Sequence, residues 1–166
     1  LVVIVMIYSS VHNDKIKELK NLNNKSSRDE KGLFLVEGEH LIIEAYKKNL
    51  LKEIIVLDNY NIDINVPKIV VTENVMKYIS SLTTIPKIIG VCQKTNNHKI
   101  GNKVLILDNV QDPGNLGTII RSACAFGIDT IVASPDTVDL YNIKVLRATE
   151  GMIFNINYVV TELDAF

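Results

Sequence analysis

The stretch that most constrains this chain runs from Val104 to Gly127, VLILDNVQDPGNLGTIIRSACAFG, because it demands a strand, a tight connection and a helix in immediate succession. Val104 to Leu107 is a short apolar run bounded by polar residues and reads as a buried strand. Leu116, Ile119, Ile120 and Ala123 recur at i, i+3, i+4 and i+7, so these four are expected to face a sheet from one side of a helix. Between the two, Asp112-Pro113-Gly114 supplies a fixed φ and then a residue tolerant of positive φ. A sharp reversal is expected there, with Asn115 near the helix N-terminus.

The same grammar extends in both directions and predicts an α/β protein. Downstream, Thr130 to Ala133 reads as a strand, Ile143 to Glu150 as a helix and Asn155 to Val160 as a strand. Upstream, Ile16, Leu19 and Leu22 recur at helical spacing from Asn13 onwards. Asn21, Asn23, Asn24, Ser26 and Ser27 then break the pattern, which predicts a helix followed by a basic loop. Strands are expected at Leu33 to Val36, Glu53 to Leu57, Lys68 to Val71 and Ile88 to Val91. Helices are expected where Leu41, Ile42, Ala45 and Tyr46 form a stripe, and at Glu73 to Ser80. The run KTNNHKIGNK, Lys94 to Lys103, has one apolar residue in ten and reads as a linker between a domain at 7–93 and a second at 104–166. The second stretch is only 63 residues long, against the ~100–150 of a typical α/β domain, so its fold is expected to be incomplete.

Composition narrows the class further. With 47% hydrophobic residues, 8 Gly and 4 Pro in 166, the chain is neither disordered nor collagen-like. Cys92 and Cys124 have no zinc-type spacing with each other or with His12, His40 and His98, so no metal site and no disulfide framework is expected, and a reduced cytoplasmic setting is. The charge-free apolar run Leu1 to Tyr8 falls far short of the ~20 residues of a membrane span and carries no basic leader, so neither anchor nor signal peptide is expected. Leu1 to Val5, ahead of Met6, read as an extension rather than structure. The formal net charge of −1 conceals +4 over residues 1–103 and −5 over residues 104–166. Lys15, Lys17, Lys20, Lys25 and Arg28 form one basic cluster that could meet a polyanion or merely solvate a helix face. Few aromatics accompany it in sequence, so no base-stacking platform is expected.

On the helix after Val104–Leu107, Arg121 falls opposite the apolar stripe. At ~100° per residue its neighbours are Gly117, Thr118, Cys124 and Ala125, all small, which leaves a guanidinium with room for a substrate. An anion clamp and an ordinary surface Arg both fit that spacing. Gly114 and Gly117 give only G-x-x-G, which speaks against a dinucleotide site.

Asp108 to Gly127 closely resembles the first signature motif of the SpoU, or TrmH-like, family of RNA 2′-O-ribose methyltransferases. The resemblance continues through Ser134-Pro135 and Asp139 to Gly151, with Thr149, Glu150 and Met152 departing from the more usual small residues. The N-terminal half, notably Lys15 to Leu22 and Gly32 to Gly38, resembles that family's substrate-binding domain. The resemblance implies a ribosomal-protein-like α/β RNA-binding domain followed by the first half of a Rossmann-like SPOUT domain of trefoil-knot type. It implies methyl transfer from S-adenosylmethionine to a ribose 2′-hydroxyl of rRNA or tRNA. Arg121 matches the catalytic Arg and Asn115 its companion; Ser134 and Pro135 match cofactor contacts, and Lys15, Lys17, Lys20, Lys25 and Arg28 would meet RNA. The family's glycine-rich loop with a catalytic Glu and its Ser-Leu-Asn segment, which build the knot and the homodimer, have no counterpart before Phe166, so this chain by itself is expected to be inactive. A non-catalytic RNA-binding protein derived from the family is the alternative expectation.

Overall fold

The structure, a computed structural model, describes residues 6–95 and 99–165. Leu1 to Val5, His98 and the centre of the expected linker lie outside the described residues. The chain divides into two compact units, residues 1–94 and 95–166.

The first unit is a five-stranded mixed sheet between two helical layers. Its elements are β1 (Ile7–Tyr8), α1 (Asp14–Asn21), α2 (Lys25–Lys31), β2 (Leu33–Glu37), α3 (Glu39–Lys47), β3 (Leu51–Leu57), β4 (Lys68–Val71), α4 (Glu73–Ile79) and β5 (Ile88–Gln93). Strand order is β1-β4-β3-β5-β2, with β4 parallel to both β1 and β3, and β5 antiparallel to both β3 and β2. Alternation sorts the faces: Leu35, Ile55, Ile69, Val71, Ile89 and Val91 join Ile16, Leu19, Val75, Met76 and Ile79 in one core under α1 and α4. The opposite face packs α3, and there a Cβ on Gly90 would sit 2.9 Å from both Leu51 Cδ1 and Val36 Cγ2 and 3.0 Å from Ile42 Cγ1. A glycine in mid-strand is therefore what lets α3 lie close to the sheet.

One expected loop is a helix. Residues 25–31 form α2, where the sequence reads as polar and broken; an i,i+4 pair from Lys25 Nζ to Asp29 Oδ2 at 2.5 Å runs along it and Gly32, at φ 65°, caps its C-terminus. Tyr46 also leaves the expected stripe of α3 and is exposed.

The second unit is a three-stranded parallel sheet, β6 (Val104–Leu107), β7 (Thr130–Ala133) and β8 (Asn157–Val160), in spatial order β6-β7-β8. The crossovers are α5 (Pro113–Ala125) and α6 (Ile143–Ala148), which pack on each other; a 3₁₀ turn at Met152–Asn155 replaces the start of the expected last strand. Successive parallel strands laid down in one direction place both crossover helices on one face. The Asp129 carboxylate accepts from the backbone N–H of Asn102 and Lys103, both at 3.0 Å, which ties the entry of the chain to β7. These hydrogen bonds hold the Asp129 carboxyl below its ordinary pKa.

Candidate functional site

In an open parallel sheet the carboxyl ends of the strands are where chemistry gathers, since loops and helix N-termini converge there. Here the loops after β6 and β7 are laced together. Ser134 Oγ accepts from Asn109 N at 2.8 Å and Thr137 Oγ1 accepts from Val110 N at 3.3 Å, while Val138 N donates to the Val110 carbonyl at 2.8 Å. Gln111 Nε2 adds a bond to the Asp136 carbonyl at 2.5 Å. The chain leaves β6 through Asn109 at φ 53°, a left-handed conformation that Asn tolerates better than most residues.

The expected reversal at Gly114 is not there. Asp112 is the N-cap of α5, its side chain accepting from Asn115 N at 2.7 Å; Pro113 is the first helical residue and Gly114 lies inside the helix. An Asp-Pro pair ahead of a helical stripe satisfies two needs at once, an acceptor for a free N–H and a residue whose own missing N–H costs nothing. That pair was the signal for an earlier helix start.

The faces of α5 also divide differently from the periodicity. Leu116, Ile120 and Ala123 are buried as expected, but Ile119 is half-buried and Gly117 is fully buried. A Cβ on Gly117 would lie 2.2 Å from Ala148 Cβ, so Gly117 is small because α6 passes there, not to leave room beside Arg121. Two turns beyond Gly117, Cys124 Sγ lies 3.5 Å from the Met152 carbonyl, and burial raises its thiol pKa. Arg121 is exposed and its guanidinium makes no ion pair among the described residues. Its open side is bounded by Thr118 and Ala125, both exposed, while the side toward Gly117 is closed by α6.

An open cleft of about 560 Å³ runs along the first turns of α5, lined by Asn109, Gln111, Asp112, Asn115, Thr118 and Ile119. Asn115 therefore faces a cavity. Arg121 does not line it; ideal helix geometry sets the two residues ~120° apart around the axis and ~9 Å along it, with Thr118 between. Ser134 is buried with its hydroxyl engaged by Asn109 and Thr137, so its side chain holds the loop, and Pro135 is the exposed member of the pair.

In the first unit the five basic residues part company. Arg28 is buried, and its Nη1 donates to the Leu22 and Asn23 carbonyls at 3.1 and 2.8 Å, capping the end of α1 from within. Lys25 pairs with Asp29, and Lys15 with Glu53 at 2.8 Å. Asp29 also receives Lys94 Nζ at 2.5 Å, and the two ammonium groups hold its carboxyl down at about 2. Lys17 and Lys20 make no ion pair among the described residues. An aromatic does accompany them: Lys20 Nζ sits 5.3 Å from the centre of the Tyr78 ring, brought over by α4 from far along the sequence. Among the described residues no group of three or more His, Cys, Asp or Glu is placed to hold a metal, and no helix is long and apolar enough to cross a membrane.

These features define a two-unit α/β protein with an open cleft at parallel strand ends and a mixed-sheet unit carrying a lysine-bearing helix. Residues 102–166 match the profile of the SpoU rRNA Methylase family and residues 13–90 that of the MRM3-like substrate binding domain; the chain belongs to the SpoU family. It is 37% identical over 163 residues to the 23S rRNA (guanosine(2553)-2′-O)-methyltransferase RlmP of Bacillus subtilis, covering 95% of this chain and 66% of that protein. Against the mitochondrial rRNA methyltransferase 3 of Homo sapiens the identity is 31% over 151 residues, with 80% of this chain and 36% of that one covered. The chain thus spans less than two thirds of these relatives. Among solved structures, an rRNA methyltransferase from Sinorhizobium meliloti superposes with a TM-score of 0.82 at 28% identity, covering 98% of this chain and 67% of that one; an AdoMet-bound rRNA methyltransferase from the same organism superposes with a TM-score of 0.82 at 27% identity.

Proposed function

We propose that this chain carries the RNA-binding unit and the leading part of the catalytic unit of an rRNA 2′-O-ribose methyltransferase that uses S-adenosylmethionine. The observation that carries the reading is the β6–α5 connection: the family's signature stretch folds into a capped helix start that lines an open cleft of mixed polar and apolar side chains and leaves Arg121 exposed and unpaired among the described residues.

The chemistry asked of such a site is modest. A ribose 2′-hydroxyl is a weak nucleophile and needs a fixed line of attack and somewhere to leave its proton. The Arg121 guanidinium has only donors and offers no site for that proton. Its planar fork suits a phosphate oxygen pair, so it holds the RNA phosphate and polarises the neighbouring hydroxyl, the phosphate being the acceptor within reach. Asn115 orients groups inside the cleft. S-adenosylmethionine, when bound, supplies the electrophilic methyl group. Of the two residues expected to contact it, Pro135 is exposed for the purpose, while Ser134 contributes by fixing the loop around it. A SPOUT-type catalytic fold, a ribosomal-protein-like first unit and a homodimer belong to the same proposal, as does a reducing cytoplasmic setting, which suits free Cys92 and Cys124.

The test is a map of ribose methylation in rRNA with and without the gene encoding this chain. Loss of one 2′-O-methyl, restored by the gene but not by its Arg121→Ala form, is the expected result. An unchanged map overturns the reading.

A further inference from the structure

The outer surface of α1 and α4 combines what single-stranded nucleic acid needs, although neither helix shows it alone. Tyr78 is 37% exposed on α4, and the Lys20 ammonium lies 5.3 Å from its ring centre. Lys17 is one turn before Lys20 and on the same side of α1. Neither lysine pairs with a carboxylate among the described residues; of the two acids on α1, Glu18 is engaged by Lys31 at 4.0 Å and Asp14 stands one turn before Lys17. The surface is also held rigid from beneath. Arg28 grips the Leu22 and Asn23 carbonyls, and the Asn23 carboxamide in turn donates to the Ile79 carbonyl at 2.8 Å, next to Tyr78 in the chain. A ring so placed loses little freedom when a base lies on it.

We propose that Tyr78 is the stacking surface for an unpaired RNA base, with Lys17 and Lys20 taking the phosphates beside that base. The proposal rests on the reading of the first unit as RNA-binding and adds the form of RNA it takes: a loop or single strand, since a base inside a duplex offers no free face. Stacking on one aromatic is worth ~1–3 kcal/mol per base, which is about a five- to 150-fold change in Kd.

The sequence contains no Trp, so Tyr78→Trp places one reporter at the site. Titrated with oligouridylate, its emission should be quenched to saturation, and a duplex of the same length should quench it far less. In the full chain Tyr78→Ala and Tyr78→Leu should each weaken oligouridylate binding about five- to 150-fold with the salt slope unchanged, whereas Tyr78→Phe should bind as the parent does. Leucine preserves apolar bulk against Lys20, so a loss shared by Ala and Leu but not Phe belongs to the ring. Replacing Lys17 and Lys20 by Gln should flatten the slope of log K against log salt by ~0.7 per phosphate released. If oligouridylate binds and the Lys17/Lys20 variant weakens it while Tyr78→Ala and Tyr78→Leu do not, the stacking role is overturned and RNA binding by the first unit stands. If neither RNA binds the parent chain, both fall together.

Discussion

Replacing Gly117 by Ala tests the close packing of α5 on α6, because two effects of opposite sign meet there. In a free helix interior the change gains ~1 kcal/mol from the lower backbone entropy of Ala. At this position the new Cβ would stand 2.2 Å from Ala148 Cβ, 2.8 Å from the Ala148 carbonyl carbon and 3.0 Å from its Cα. Carbon atoms rest at ~3.5–4.0 Å, so the closest pair overlaps by more than ~1 Å, and two of the three atoms are backbone that cannot rotate away. Only a displacement of α6 relieves the clash. Overpacking of this kind costs ~1–3 kcal/mol, and crowding against backbone places this case toward the upper end. After the helical gain is set against it, a net loss of about 1–2 kcal/mol is expected. The assay is urea unfolding followed by far-UV circular dichroism, with hydrogen exchange to show that the α6 amides are the ones that loosen. Pairing the change with Ala148→Gly should recover part of the loss, since that removes the nearest atom and leaves the carbonyl carbon in place. A Gly117→Ala chain as stable as its parent, or more stable, would refute the close approach of the two helices.

Four further outcomes are expected. Arg121→Ala should leave the unfolding free energy within ~0.5 kcal/mol, because an exposed side chain with no ion pair among the described residues is lost, while in an enzyme reconstituted with this chain it should lower single-turnover methyl transfer ~10²–10³-fold. Ser134→Ala removes the acceptor of the Asn109 N–H and should cost ~1–3 kcal/mol, seen as faster amide exchange at Asn109. Arg28→Ala should lower stability sharply, by ~2–4 kcal/mol from lost carbonyl bonds and packing, which urea unfolding reads directly. Asp29, held at about 2 by Lys25 and Lys94, has a folded-state pKa below its unfolded one; its contribution is therefore present above pH ~4 and lost as pH falls toward 2, and since the carboxylate is about half exposed, Asp29→Asn should remove no more than ~1 kcal/mol of acid dependence.

Much of this fold is legible in the sequence because its strands are short apolar runs and its helices carry one apolar stripe. Those periodicities give the strands from Leu33 onwards and five of the six helices among the described residues. The failures have physical causes. Residues 25–31 become a helix because Gly32 caps it, Lys25 pairs with Asp29 along it and Arg28 turns inward to the carbonyls of Leu22 and Asn23; a polar run with an Asn-rich entrance shows none of that without its partners. β1 is two residues long and exists through its ladder with β4, so no local pattern announces it. The site follows the same division. Arg121 and Asn115 are visible as residue types at a spacing, but that Asn115 faces the cleft and Arg121 lies beyond it depends on how far Asp112 and Pro113 bring the helix start forward.

The small residues of α5 show how one helix meets several demands at once. Its sequence, PGNLGTIIRSACA, has room for only three large aliphatic side chains, and each of these is at least half-buried. Leu116 and Ile120 are fully buried. Ile119 lines the wall of the cleft. Gly117 gives way to α6, so that crossover sits against the helix backbone instead of beside it. What remains is a narrow strip running through Thr118, Arg121 and Ala125, all three exposed. A bulky residue at 118 or 125 would leave the core untouched and still close that strip. The smallness that reads in the sequence as open space around Arg121 is therefore of two kinds: at Gly117 it is occupied by α6 and at Cys124 it meets the Met152 carbonyl, whereas at Thr118 and Ala125 it stays exposed.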